Sequence, residues 1–269
     1  MQRDDMLIEA AELLQIYDDP RLRVFDASFV PEPYRQAHLP GAAYFDHARF
    51  SDPESPFDCT ILPLERLAEQ IGRSGIANES DVIVYAAGML PYAARAWWVL
   101  RYAGHSRVRV LNGGLAAWTA AGGAVEQTPR VYAPAVFQAA PRPEMFVGKE
   151  AVLAALPEPD TAVVNVLPPQ SYAAAHITGS SNLSCMDLMQ GMDYFLPADQ
   201  LAARLQATAP YRRVITYCGG GIAAALNAMA HVMVGQPNAA VYDGSLYEWT
   251  AEGLPMTGQG DWEIWKAKR

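Results

Sequence analysis

The chain has little cysteine, no surplus of positive charge and no long apolar run, and each shortage excludes something. Its 269 residues hold three cysteines, Cys59, Cys185 and Cys218. They are too few and too scattered for a disulfide framework and make no C-x-x-C pair, so each is read as a lone thiol and no metal site is expected. Lys and Arg number 20 against 29 Asp and Glu, and the formal net charge is −9. The deficit is shared, with 12 basic against 17 acidic residues in 1–140 and 8 against 12 in 141–269. Neither half is built to bind a polyanion, which excludes nucleic acid as the main partner. The longest apolar stretch, Gly219 to Gly235, is too short to span a bilayer and contains Asn227 and His231. The opening residues, MQRDDMLIEAAELLQ, carry acid where a secretory signal needs base. No membrane partner is therefore expected, and the location is expected to be cytoplasmic. What is present, 51% hydrophobic and 18% charged residues, suits one large globular domain or two ordinary ones.

Comparison of the two halves shows a repeat. Val24-Phe25-Asp26-Ala27 recurs as Val164-Asn165-Val166-Leu167, and His38-Leu39-Pro40-Gly41-Ala42 as His176-Ile177-Thr178-Gly179-Ser180. Val82 to Ala86 recurs as Val214 to Cys218, and Leu111-Asn112-Gly113-Gly114-Leu115 with Trp118 as Tyr242-Asp243-Gly244-Ser245-Leu246 with Trp249. Matched landmarks in the same order predict two homologous domains, 1–126 and 144–269. The Pro-rich stretch 127–143 between them reads as a linker. In the first half, Leu22–Asp26, Asp81–Ala86 and Val108–Leu111 read as strands. Leu7–Ile16, Leu64–Ser74, Pro91–Ala103 and Gly114–Ala121 read as helices. The second half offers the strands Thr161–Val166, Arg213–Tyr217 and Ala239–Tyr242. Strands alternating with helices predict an α/β fold, each half a parallel sheet flanked by helices on both faces. Ligands then sit beyond the carboxyl ends of the strands, where Cys218 falls.

Cys218 opens the loop Cys218-Gly219-Gly220-Gly221-Ile222-Ala223, which leads into a helix predicted over Ala223–Val234. Three consecutive glycines are costly to order. Without Cβ atoms the loop can turn successive N–H groups inward, and the helix adds its own unpaired donors and positive end. Focused on the Cys218 sulfur, those donors lower its pKa and make it a nucleophile near neutral pH. The same cradle suits a persulfide or an oxyanion. The plain structural alternative is a tight turn beside a small apolar residue. The matching position in the first half is Ala86, in a loop without a thiol or a glycine run, so the pair reads as one active and one inactive half.

At this point the chain resembles the two-domain rhodanese-type sulfurtransferases, and the 3-mercaptopyruvate branch more than the thiosulfate branch. The resemblance rests on Val24–Ser28, His38–Asp46, Ser55-Pro56-Phe57-Asp58, Ala94-Arg95-Ala96-Trp97-Trp98, Asn112-Gly113-Gly114 with Trp118, and Tyr242–Ser245 with Glu248-Trp249. It implies sulfane sulfur taken from an anionic donor onto Cys218 as a persulfide, then passed to cyanide or a thiol. A low-molecular-weight thiol or a thioredoxin-like protein is the implied thiol acceptor, and no cofactor is implied. Arg95 is the implied anchor for the donor's anionic group, since a guanidinium offers a carboxylate two parallel hydrogen bonds. Gly219, Gly220, Gly221, Ile222 and Ala223 are expected to line the donor site. Asp58 and Arg101 are weaker candidates, Arg101 reading better as structural. The loop has no basic residue of the kind typical of thiosulfate specialists, but also lacks the hydroxyls of the mercaptopyruvate branch. Asn165-Val166-Leu167 replaces the usual Asp-Ala-Arg, Cys59 follows Asp58 where a His is common, and Ala86 replaces an Asp.

His38 and His176 are expected to hold turns, and Trp97, Trp98, Trp118 and Trp249 to be core. Cys59 and Cys185 read as structural thiols, with a resolving role for Cys59 the alternative. Asp26, Asp243 and Glu248 read as partners for turn N–H groups, and Trp262 with Trp265 as a cover for the first half. Two competing functions stay open. An eroded rhodanese-like binding or regulatory protein fits the departures, and a cysteine phosphatase fits the cradle but lacks the loop Arg that position 223 would need to supply.

Overall fold

The structure, a computed structural model, describes residues 2–264; Trp265 lies outside the described residues. β-Branched and aromatic runs form two five-stranded sheets. The first has the order Leu7–Ile8, Val108–Leu111, Asp81–Tyr85, Leu22–Asp26, Ala43–Tyr44, all parallel. The second has Phe146–Val147, Ala239–Tyr242, Arg213–Tyr217, Thr161–Asn165, Ser181–Asn182, also all parallel. Successive strand residues face opposite ways. Val82 and Val84 pack with Leu67, Ile71 and Trp97, whereas Ile83 and Tyr85 pack with Leu13 and Trp118. Both faces are covered, as near-continuous apolar strands require. Trp97, Trp98, Trp118 and Trp249 are at most 2% exposed and belong to the core.

Element ends fall within a residue of the expected ones, with one exception. Leu7–Ile16 is not one helix, because Leu7–Ile8 pairs as an edge strand with Val110 and Leu111 and the helix runs only over Ala10–Ile16. Burying Leu7 and Ile8 against the sheet outweighs local helical periodicity. The repeat is also displaced by one residue from the expected Val24–Val164 pairing. Asp26 and Asn165 each end a strand and each accept from the N–H two residues on, at 2.8 and 2.9 Å. His38 and His176 hold equivalent turns, each with Nδ1 2.7 Å from the carbonyl of a stacked Tyr, Tyr34 or Tyr172. Tyr85 and Tyr217 hydroxyls then accept from Leu39 and Ile177 N–H, both at 3.1 Å.

The stretch 127–143 is a strap bound along the first half. Tyr132 Oη accepts from Val24 N–H at 3.0 Å and donates to Gly41 O at 2.9 Å, and Ala135 N–H reaches Gly72 O at 2.8 Å. Trp262 is buried and packs on Tyr247 of the second half, 5.3 Å between rings. Among the described residues no helix is long and apolar enough to cross a membrane.

The halves exchange segments. After the turn His47–Phe50, residues 51–62 of the first half reach over the strand ends of the second, where Ile61 N–H donates to Asp243 Oδ2 at 2.7 Å. After the matching turn Cys185–Leu188, the hairpin Met189–Gln190 with Tyr194–Phe195 covers the first half, and Phe195 N–H donates to Asn112 Oδ1 at 3.0 Å. Leu90 and Gly113 N–H donate to Met192 and Asp193 carbonyls in the same cover, at 2.8 and 2.9 Å.

Two buried histidines make stability sensitive to acid. Burial pushes His47 and His231 down to about 4, opposed by hydrogen bonds to Ala27 O and Asn227 O and, for His47, reinforced by Arg95. Both are neutral in the fold and titrate near 6.5 when unfolded, so the unfolded chain binds more protons as pH falls. Their stabilisation is complete above pH 6.5 and is lost between pH 6.5 and 4, at most about 3 kcal/mol each. The urea midpoint is expected to drop across that window, and a His47→Gln/His231→Gln variant to lose most of the slope.

Candidate functional site

Cys218 follows the strand Arg213–Tyr217 directly and is 3% exposed. The helix Ser245–Ala251 pins it in place. Cys218 N–H donates to Ser245 Oγ at 3.1 Å, its carbonyl accepts from Leu246 N–H at 3.1 Å, and Gly219 O accepts from Tyr247 N–H at 3.0 Å. Ser245 is itself left-handed, at φ 49°, and its hydroxyl donates to Tyr242 O at 2.7 Å. The loop then turns through Gly221, φ 79°, into the helix Ile222–Met233, one residue earlier than expected. A Cβ on Gly221 would stand 2.9 Å from Asp243 O and 3.2 Å from Arg95 Nη1, so conformation and space both demand glycine there. The N–H groups of Gly219, Gly220, Gly221, Ile222 and Ala223 donate to no protein acceptor among the described residues. Five consecutive donors and a helix's positive end thus remain available beside Cys218.

Arg95 lies on the helix Leu90–Tyr102 and reaches across the seam between the halves. Its donors are already engaged by protein partners. Its side chain is 4% exposed and its Nη2 sits 2.8 Å from Asp243 Oδ1. The guanidinium donates to Cys59 O at 2.7 Å and Gly221 O at 3.4 Å, and lies 4.7 Å over the Phe146 ring. Asp243, expected as a partner for turn N–H groups, accepts from Ile61 N–H and also pairs with Arg95, tying both to the Cys218 loop. Glu248 likewise serves side chains, accepting from Tyr242 Oη at 2.7 Å and facing Lys149 at 3.5 Å. Arg101 is remote from this cluster: its Nη1 donates to Ser106 O at 3.1 Å, and burial, then Arg142, pulls its pKa down to about 10. It is a buried structural cation.

Asp58 is exposed, but its carbonyl oxygen is 3.4 Å from where a Cβ on Gly220 would stand, in contact with the Cys218 loop. Cys185 is buried, its thiol pushed up to about 12 chiefly by burial. Cys59 is half-buried and borders the seam, its thiol pushed up to about 11 by burial. Sequence reasoning passed over Ser245 and Tyr247. Ser245 carries a signal, since the repeat sets it opposite Gly114, which is also left-handed at φ 52°; a side chain is retained at this position only in the half with the thiol. Tyr247, whose ring would lie 3.2 Å from a Cβ on Gly220, gives no such signal.

The family described as rhodanese-like domain matches the chain twice, over residues 9–121 and 149–252. Thiosulfate sulfurtransferase from Bos taurus is 32% identical over 273 residues, covering 88% of each chain. The 3-mercaptopyruvate sulfurtransferase of Escherichia coli K12 is 30% identical over 267 residues, 91% of this chain and 95% of that one. The crystal structure of SseA from Escherichia coli, described with the rhodanese fold and mechanism of 3-mercaptopyruvate sulfotransferases, superposes with a TM-score of 0.82 at 28% identity, over 91% of this chain and 99% of that one. An anaerobic ergothioneine biosynthesis enzyme from Chlorobium limicola shares the fold at a TM-score of 0.85 and 22% identity, over 96% of this chain and 71% of that one.

Proposed function

The chain belongs to the rhodanese-like family and is a two-domain sulfurtransferase, and from that premise we propose that it takes the thiol sulfur of 3-mercaptopyruvate onto Cys218 and passes it on as the sulfane sulfur of a persulfide. The observation that carries this reading is the row of unengaged N–H groups from Gly219 to Ala223 beside a thiol at a strand's carboxyl end. Such donors stabilise a thiolate and a persulfide anion alike. The Cys218 thiolate attacks the donor sulfur as its C–S bond breaks. The leaving enolate takes the thiol proton to become pyruvate, and Cys218 keeps the sulfur as a persulfide. Acceptor attack on the outer sulfur restores the thiolate. A low-molecular-weight thiol or a thioredoxin-like protein suits this step, and the three free cysteines fit a reducing, cytoplasmic setting.

Charge favours mercaptopyruvate over thiosulfate. The loop has no cationic side chain, and among the described residues the guanidinium that reaches it, Arg95, is already neutralised by Asp243. A dianion therefore lacks a counter-charge that a monoanion needs less. We expect kcat/KM for 3-mercaptopyruvate to exceed that for thiosulfate at least about tenfold, ~1.4 kcal/mol in transition-state stabilisation; steady-state assays with a common acceptor check it. Cys218 is 3% exposed, while Gly220, Ile222 and Ala223 of the same loop are part-exposed.

Mass spectrometry of the Cys218 peptide after incubation with each donor tests the whole reading. A cyanide-labile gain of one sulfur, absent from Cys218→Ser, supports it. No sulfur from either donor would leave a catalytically eroded binding protein as the better account.

A further inference from the structure

Cys59 has no part in the persulfide step, yet the fold sets it against the Cys218 loop. The Asp58 carbonyl oxygen approaches Gly220 to 3.4 Å of its missing Cβ, and the carbonyls of Cys59 and Gly221 accept from the two arms of one guanidinium, at 2.7 and 3.4 Å. Cys59 also lines a small cavity of about 10 Å³ in the seam, with Arg95, His47 and Ile222. Its backbone is left-handed, φ 67°, which a non-glycine residue adopts only where its surroundings impose it.

Resting on the persulfide reading above, we propose that Cys59 is a second catalytic thiol, which attacks Cys218 Sγ in the persulfide, displaces hydrosulfide and closes a Cys59–Cys218 disulfide across the seam. The step balances as Cys218-Sγ–S⁻ plus Cys59-SγH giving Cys218-Sγ–Sγ-Cys59 plus HS⁻. The Sγ–Sγ bond forms as the bond to the outer sulfur breaks, and the Cys59 proton leaves with that sulfur. The outer sulfur is reduced to sulfide and the two cysteine sulfurs are oxidised, so no outside oxidant is needed. The disulfide arrests turnover until a dithiol reduces it.

Burial sets the pace of this step. It holds the Cys59 thiol up to about 11; Arg95 pulls against it, while Asp58, Cys218 and Asp243 add to it, and His47 in the cavity is neutral. Little thiolate is present near neutral pH, so an abundant acceptor thiol reaches the persulfide first. When acceptor runs short, release proceeds, and since the reacting pair carries one proton in all, its rate stays level with pH until the thiol itself ionises.

The test is anaerobic incubation of reduced protein with 3-mercaptopyruvate and no acceptor. We expect one sulfide released per chain, at a rate little changed between pH 8 and pH 9, and a cross-linked 59/218 peptide pair in a non-reducing digest. Cys59→Ser should accumulate the persulfide and release no sulfide. A stable persulfide on the wild type with Cys59 open to alkylation would overturn the inference, whatever the variant's folding, and so would a cross-link to Cys185. Sulfur uptake by both proteins without a cross-link sinks this inference alone, whereas uptake by neither overturns the persulfide reading and this inference with it.

Discussion

Replacing Cys218 by Ser is expected to lower kcat for sulfur transfer at least about a thousandfold, ~4 kcal/mol, with the fold retained. A serine hydroxyl is a far weaker nucleophile and holds no sulfane sulfur, so the covalent route is lost outright. Stability should change by less than about 1 kcal/mol, since the new hydroxyl is nearly isosteric and the loop's unengaged N–H groups give it a partner. Steady-state kinetics and urea unfolding on the same sample separate the two effects. Turnover surviving in the variant would move the sulfur to Cys59 or Cys185.

Replacing Arg95 by Met should cost about 3–5 kcal/mol of stability, because it leaves the buried Asp243 carboxylate, only 11% exposed, without its counter-charge. Asp243→Asn should be costly for the converse reason, and the double variant should regain part of the loss. The carbonyls of Cys59 and Gly221 also lose their shared donor, so the Cys218 loop and the segment over it come loose together. Kinetics then separate two roles. An Arg that positions the loop lowers kcat with little change in KM, whereas an Arg that grips the donor's carboxylate raises KM. The fold leads us to expect the first. Urea unfolding of the four proteins of the cycle, with kcat and KM for those that fold, is the measurement.

Much of this molecule was legible in its sequence. The strands Leu22–Asp26, Val108–Leu111, Arg213–Tyr217 and Ala239–Tyr242 have the predicted bounds, because short apolar runs bounded by turn residues declare themselves locally. The repeat exposed the two-domain plan, and it marked Cys218 as a thiol at a strand end that its partner half lacks. Local signals failed where a longer-range contact outweighed them, as at Leu7–Ile8.

The make-up of the site beyond its cysteine was decided only by the tertiary structure. A conspicuous Arg95 suggested an anion anchor, but its partners are Cys59 O, 36 residues away, and Asp243 across the seam. Ile61 meets Asp243 over 182 residues, and that contact, not any motif, closes the segment 51–62 over Cys218. Ser245 matters because its left-handed backbone sets its hydroxyl on Cys218 N–H, and Cys59 because the packing of the halves sets its carbonyl on Arg95 beside the Cys218 loop. The amino-acid sequence by itself determined where the chain makes strands, helices, a duplication and a glycine-flanked thiol, since each arises from neighbours within a few residues. Which charges meet, and which loops share a donor, followed from how two halves exchange segments, since a buried ion pair and a shared hydrogen-bond donor exist only once distant parts of the chain are packed together and water is excluded.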